Sequence, residues 1–246
     1  MARAANSERP AFYALAPGTW RDLVTLLHPP YTAWHLSYVA IGAAMAPQLH
    51  ATRLVAALVA FFLAVGVSAH ALDELAGRPL RTGLSDPTLI ALGAFGLIAA
   101  AAIGCYAAAT ISLTLLPFTV VGVFLVLAYD LEWFGGRFHT DLWFAASWGA
   151  FPAATGFWVN SLALHPAGVI AVAACFALSV AQRRLSSPVR QLRRRTVSVG
   201  GEQVLRDGRV IPLDARTLAA PLEGALAACA LAVTLLAIAL VVLRLR

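Results

Sequence analysis

The chain contains no lysine. All 18 of its basic residues are arginine, set against 12 acids, for a formal net charge of +6. Any anion the protein holds is therefore held by guanidinium, which is forked and permanently charged, and no side-chain amine is present to form a Schiff base. Charge of either sign is scarce: 12% of residues are charged, about half the share of a soluble domain, while 60% are hydrophobic and the mean hydropathy is +0.78. Too little polar surface remains to cover a water-soluble fold. The three cysteines, Cys105, Cys175 and Cys229, stand far apart inside apolar runs and lack CxxC spacing, so they read as small packing residues and imply no disulfide or zinc framework. No cleavable signal peptide is expected, because Arg, Glu and Pro interrupt the first 30 residues. The alternating polarity of a membrane β-barrel is also missing.

Long apolar runs are present instead. Residues 54–72, 142–164 and 219–243 each suffice for one span, and the uncharged run 87–129 suffices for two at about 20 residues each. The expected fold is all-α: a polytopic membrane helical bundle of about seven transmembrane helices (seven to nine). The spans fall near 31–48, 54–72, 87–107, 113–129, 142–163, 167–182 and 219–243. Residues 1–30 are expected to form a cytoplasmic or interfacial segment, with a short helix near 19–27 and a break at His28-Pro29-Pro30, since proline disfavours helix in the residue before it. Residues 31–246 form the transmembrane domain. Within it, 182–217 reads as an arginine-rich cytoplasmic loop carrying a hairpin that turns on Asp207-Gly208. Arginine placement puts this loop, and by alternation loops 73–87 and 130–141, on the cytoplasmic face of a multi-pass cell-membrane protein.

Half of the acids lie in two short stretches: Asp73, Glu74 and Asp86 in one, Asp130, Glu132 and Asp141 in the other. In the first, spacings of three and four put His70 on the helical face of Asp73 and Glu74. Charge at the end of an apolar helix is costly unless paired or functional. Two readings stay open there. The acids are solvated at the headgroups and paired with Arg78, or they hold a divalent cation, for which oxygen ligands and retained waters suit Mg²⁺. Arg78 and Arg81 either neutralise the acids or grip a diphosphate. In the second stretch Tyr129, Asp130, Arg137 and His139 surround Gly135-Gly136, which forces a turn. Trp133, Phe134 and Phe138 fit an interfacial aromatic belt.

The order of these features resembles the UbiA superfamily of intramembrane prenyltransferases, whose polar loops follow spans two, four and six. The family's NDxxDxxxD motif corresponds to residues 69–77, followed by Arg78-Pro79-Leu80 and Gly83. Asp73 matches the middle aspartate, while His70 and Gly77 stand at the first and last. The family's YxxxK matches at Tyr129, with Trp133 at the lysine position and Arg137 as the nearest cation. Gly149–Trp158 (GAFPAATGFW) is similar to its next span. The second aspartate motif, DxxxD, falls on Gln182-Arg183-Arg184, which is basic.

The resemblance implies a divergent prenyltransferase. It would move an isoprenoid chain from a prenyl diphosphate to a lipid or aromatic acceptor. Mg²⁺ would sit on His70, Asp73 and Glu74; Asp73, Glu74 and Tyr129 would be catalytic; and Arg78, Arg81, Asp130, Arg137, His139, Arg183 and Arg184 would contact substrate. The expected partners are a prenyl diphosphate or other lipid phosphate and membrane lipids, and no nucleic acid. Two alternatives stand beside this. One is a non-catalytic relative that binds a lipid or quinone or serves as a partner subunit. The other is a transition-metal enzyme using His70, Asp73, Glu74, Glu132, His139 and Asp141.

Overall fold

The computed structural model describes residues 9–245. Helix α1 (Thr19–Leu26) ends just before His28, which adopts a left-handed conformation (φ 46°). Pro29 then opens α2 (Pro29–Ala44), at a position where its missing N–H has no intrahelical partner to lose. Next come α3 (Ala51–Leu75), α4 (Asp86–Thr110) and α5 (Leu113–Asp130), then α6 over 141–161, α7 (Pro166–Arg195) and α8 (Ala215–Arg244). Among the described residues, side chains cap four of these helices: Ser85 accepts from the Thr88 N–H, Ser112 from Thr114, Thr140 from Trp143, and Asp214 from Thr217.

Among the described residues five helices, α3, α4, α5, α7 and α8, are long and apolar enough to cross a membrane. The architecture is a helical membrane bundle, as the apolar runs imply. At 16 residues, α2 is about 24 Å long, shorter than the hydrocarbon thickness of about 30 Å. It is nevertheless the innermost helix, with eleven of its sixteen residues buried. Trp34, Tyr38 and Ile41 of α2 pack with Ala153 of α6, Cys175 of α7, and Leu226, Ala230 and Val233 of α8. A second cluster joins α3, α5 and α6 through Val65, Ala69, Val126, Tyr129 and Trp148.

Two expectations need correction. Helix α7 does not stop at Gln182; it continues to Arg195 through the arginine-rich stretch that reads as loop from composition. Loss of hydropathy marks where a helix leaves hydrocarbon, not where its backbone ends. Pro188 lies inside α7 and is tolerated there. The hairpin does form, with β1 (Glu202–Val204) antiparallel to β2 (Val210–Pro212). Its loop is three residues, 206–208, rather than the two-residue Asp-Gly turn: Leu205 N–H donates to Arg209 C=O, and Gly208 takes the left-handed conformation (φ 83°) that only glycine adopts without strain.

Among the described residues three stretches are wound as wider π turns: Phe62–Ala69 in α3, Ala146–Ala150 in α6 and Gln191–Arg195 in α7. Such turns cluster at functional sites. Here all three border the same cavity, at the end of the bundle where α3, α5 and α7 finish and α2 and α6 begin.

Candidate functional site

That cavity has a volume of about 860 Å³. Its wall comes from the N-terminal segment (Pro10 to Tyr13), the start of α2 (His28, Tyr31, His35), the end of α3 (His70, Asp73), the end of α5 (Tyr129, Asp130), His139, the start of α6 (Phe144, Trp148) and the C-terminal part of α7. The polar stretches 69–79 and 129–139 and the arginines of α7 therefore meet at one place.

Imidazoles are concentrated here: four of the six histidines line the cavity. Three of them place Nδ1 against a backbone carbonyl, His35 on Trp148 (2.7 Å), His70 on Gly66 (3.2 Å) and His139 on Tyr129 (3.1 Å). A carbonyl only accepts, so each Nδ1 carries the proton, which leaves Nε2 as the acceptor of a neutral ring. The carbonyls of Gly66 and Trp148 belong to the π-wound stretches. His28 is different. Its Nδ1 meets the Tyr13 hydroxyl at 2.8 Å, its ring stacks on His70 at 4.0 Å, and its Nε2 is buried with no hydrogen-bond partner among the described residues. Burial holds the His28 imidazole well below, and the Tyr13 phenol well above, their ordinary pKa.

Of the anticipated site residues, His70, Asp73, Tyr129, Asp130, Glu132, His139 and Arg183 line the cavity. Asp73 makes no hydrogen bond or ion pair with a described residue and lies in the field of Arg194, Arg190 and His139. Asp130 keeps one carboxylate oxygen buried and without a partner among the described residues. Tyr129 stacks on His139 at 4.4 Å. Arg183 donates from Nε to Asp141 (2.6 Å) and lies over the Phe144 ring.

The other anticipated residues lie elsewhere. Glu74 is fully buried and turned away: its carboxylate accepts from the Leu80 N–H, the Thr82 N–H and the Thr82 hydroxyl, at 2.8–2.9 Å. Arg78 pairs with Asp86 and donates to the Leu84 carbonyl. Arg81, Arg137 and Arg184 are exposed and do not border the cavity. His70, Asp73 and Glu74 thus do not converge. Among the described residues, no three His, Cys, Asp or Glu side chains come close enough together to hold a metal ion. Mg²⁺ needs less, because it is commonly bound by one or two carboxylates with substrate phosphates completing its shell. Asp73 and Asp130, both on the cavity wall and the latter with an orphaned oxygen, fit that pattern.

His28, His35, Arg190 and Arg194 also line the cavity, yet the sequence motifs did not single them out. Three of them carried a signal: an imidazole inside an apolar helix for His35 and, for Arg190 and Arg194, arginines at helical spacing from Arg183.

A narrower apolar crevice of about 120 Å³ runs between α3, α4, α5 and α6, lined by residues such as Phe61, Ala64, Leu97, Val126 and Phe151. Val65 and Trp148 border both this crevice and the polar cavity. No known protein family, curated protein or solved structure matches the chain.

Proposed function

We propose that the protein is a UbiA-like intramembrane prenyltransferase that moves an isoprenoid chain from a prenyl diphosphate to a lipid or aromatic acceptor. One observation carries the reading: a large cavity with cationic and acidic walls adjoins an apolar crevice, and the two share Val65 and Trp148. A ligand occupying both has a charged head and an apolar chain.

The chemistry needs two things, stabilisation of charge on the departing diphosphate and a wall that keeps water from an allylic cation. Arginines of α7 face the head. Tyr129, Phe144 and Trp148 supply aromatic surface where head meets chain. Asp73 and Asp130 are the residues that would hold Mg²⁺, which would offset phosphate charge as the C–O bond breaks. In this reading α2 and α6 join the five long helices as spans, giving seven, and the cavity opens to the cytoplasm.

Two experiments test this. Purified full-length protein, given labelled prenyl diphosphates, Mg²⁺ and a membrane lipid extract, should yield a labelled lipid product. Val65→Phe should lower that yield about tenfold by filling the junction. If no chain length gives a product but prenyl diphosphates still bind, the non-catalytic lipid-binding reading replaces this one. It is favoured by the arginines standing where the family's second aspartate motif would be. For orientation, a single cysteine at position 200, in a variant lacking the native three, should react with an impermeant maleimide only after the membrane is opened. Labelling of intact cells there would reverse the topology.

A further inference from the structure

The face of α7 that borders the cavity carries Arg183, Arg190 and Arg194, spaced by seven and four residues and so aligned along the helix. Their charges are unevenly answered. Arg183 is only 9% exposed and has Asp141 on Nε, but its Nη1 is buried with no hydrogen-bond partner among the described residues. Arg190 reaches the Ser187 hydroxyl at 3.3 Å, and Arg194 the Pro10 carbonyl at 3.3 Å. Among the described residues, neither has a carboxylate within 4.0 Å. Asp73, which lies in the field of both, stays outside ion-pair distance.

Two unpaired guanidiniums and a third with a stranded N–H, at the mouth of a membrane bundle, are costly unless an anion arrives. The fork geometry sets which anion. Each guanidinium can donate two parallel bonds to a tetrahedral oxyanion, and three forks in a row along a helix match two linked phosphoryl groups better than one. Ser186 and Ser187 add hydroxyls on the same wall. A bound Mg²⁺ is not needed for this grip, because guanidinium already supplies the positive charge.

We infer that the α7 arginine ladder is the principal grip on a diphosphate head and that it works without a divalent cation. This rests on reading the cavity as a lipid-phosphate site, and it assigns Arg190 and Arg194 as the head-binding residues. Mg²⁺ is then needed for turnover but not for binding.

Calorimetry on the full-length protein in nanodiscs, in EDTA, tests it with three probes: inorganic pyrophosphate, inorganic phosphate and a prenyl diphosphate. Pyrophosphate should bind without metal and more tightly than phosphate. Arg190→Gln and Arg194→Gln should each weaken it about tenfold, the order expected for losing a charge-assisted fork. Arg190→Lys keeps the charge but loses the fork, and should recover only part of the affinity. Asp73→Asn should leave metal-free binding intact. Unfolding midpoints of the variants show whether the fold survives, and Arg183, tied to Asp141, is left in place. Binding that appears only with Mg²⁺ and disappears in Asp73→Asn would overturn the ladder while keeping the lipid-phosphate site. Pyrophosphate binding through the ladder with no gain from the prenyl chain would keep the ladder and remove the prenyl reading. No binding of any probe, with or without metal, would remove both.

Discussion

Glu74→Ala should destabilise the protein by about 3 kcal/mol or more, because it strands three buried donors and each costs about 1–3 kcal/mol. The Glu74 carboxylate is the centre around which the segment after α3 folds. Leu80 N–H donates to one oxygen, and Thr82 donates to the other through both its N–H and its hydroxyl. Arg78 and Arg81 are held at positive φ (54° and 55°) in the same segment, conformations that persist only when surroundings enforce them. Removing the carboxylate releases both constraints. Denaturant unfolding should show the loss, and hydrogen exchange should show faster exchange at the amides of Leu80 and Thr82. Asp73→Asn, one residue away, should behave oppositely. Asp73 makes no hydrogen bond to a described residue, so its replacement should change stability by no more than about 0.5 kcal/mol while stopping Mg²⁺-dependent product formation. A stable but inactive Glu74→Ala would return Glu74 to the role of metal ligand.

Adjacent carboxylates with opposite roles show where the sequence runs out. Hydropathy located the helices, because crossing hydrocarbon constrains composition at every position. It also gathered the polar residues at one end, since they cannot stay inside the bilayer. It could not say which way Glu74 points. Asp73 and Glu74 are neighbours in sequence, and a rotation of about 100° per residue sends one into the cavity and the other into the loop. The same blindness hid the end of α7. The drop in hydropathy after Ala181 marks the change of solvent, while the hydrogen-bonded backbone runs on to Arg195. Only that continuity puts Arg190 and Arg194 on the face of Arg183. His35 was obscured for another reason. Its partner, the Trp148 carbonyl, is a backbone atom far along the chain, presented by a π-wound stretch of α6 whose local sequence has no distinctive mark.

Replacing Gly42 or Gly156 with valine should prevent the cavity from assembling, although neither residue touches it. Helices α2 and α6 approach backbone to backbone at two reciprocal points. A Cβ on Gly42 would stand 2.0 Å from the Ala153 carbonyl oxygen, and one on Gly156 would stand 2.1 Å from that of Val39. Neither contact can be relieved by a side-chain rotation, since the obstruction is main chain on both sides. The helices must separate, and close approach through small residues is the main source of helix association in a bilayer. Separation matters at the site because His35 of α2 donates to the Trp148 carbonyl of α6 at 2.7 Å, and Trp148 borders both cavity and crevice. Gly42→Ala should already cost about 1–3 kcal/mol, the usual range for overpacking a tight interior. Gly42→Val should cost more and abolish binding of both pyrophosphate and prenyl diphosphate. Gly200→Ala, where a Cβ would meet nothing within 4 Å, is the matched control and should be neutral. If Gly42→Val instead kept full stability and binding, α2 and α6 would not be in close contact, and the floor of the cavity would have to be built from other helices.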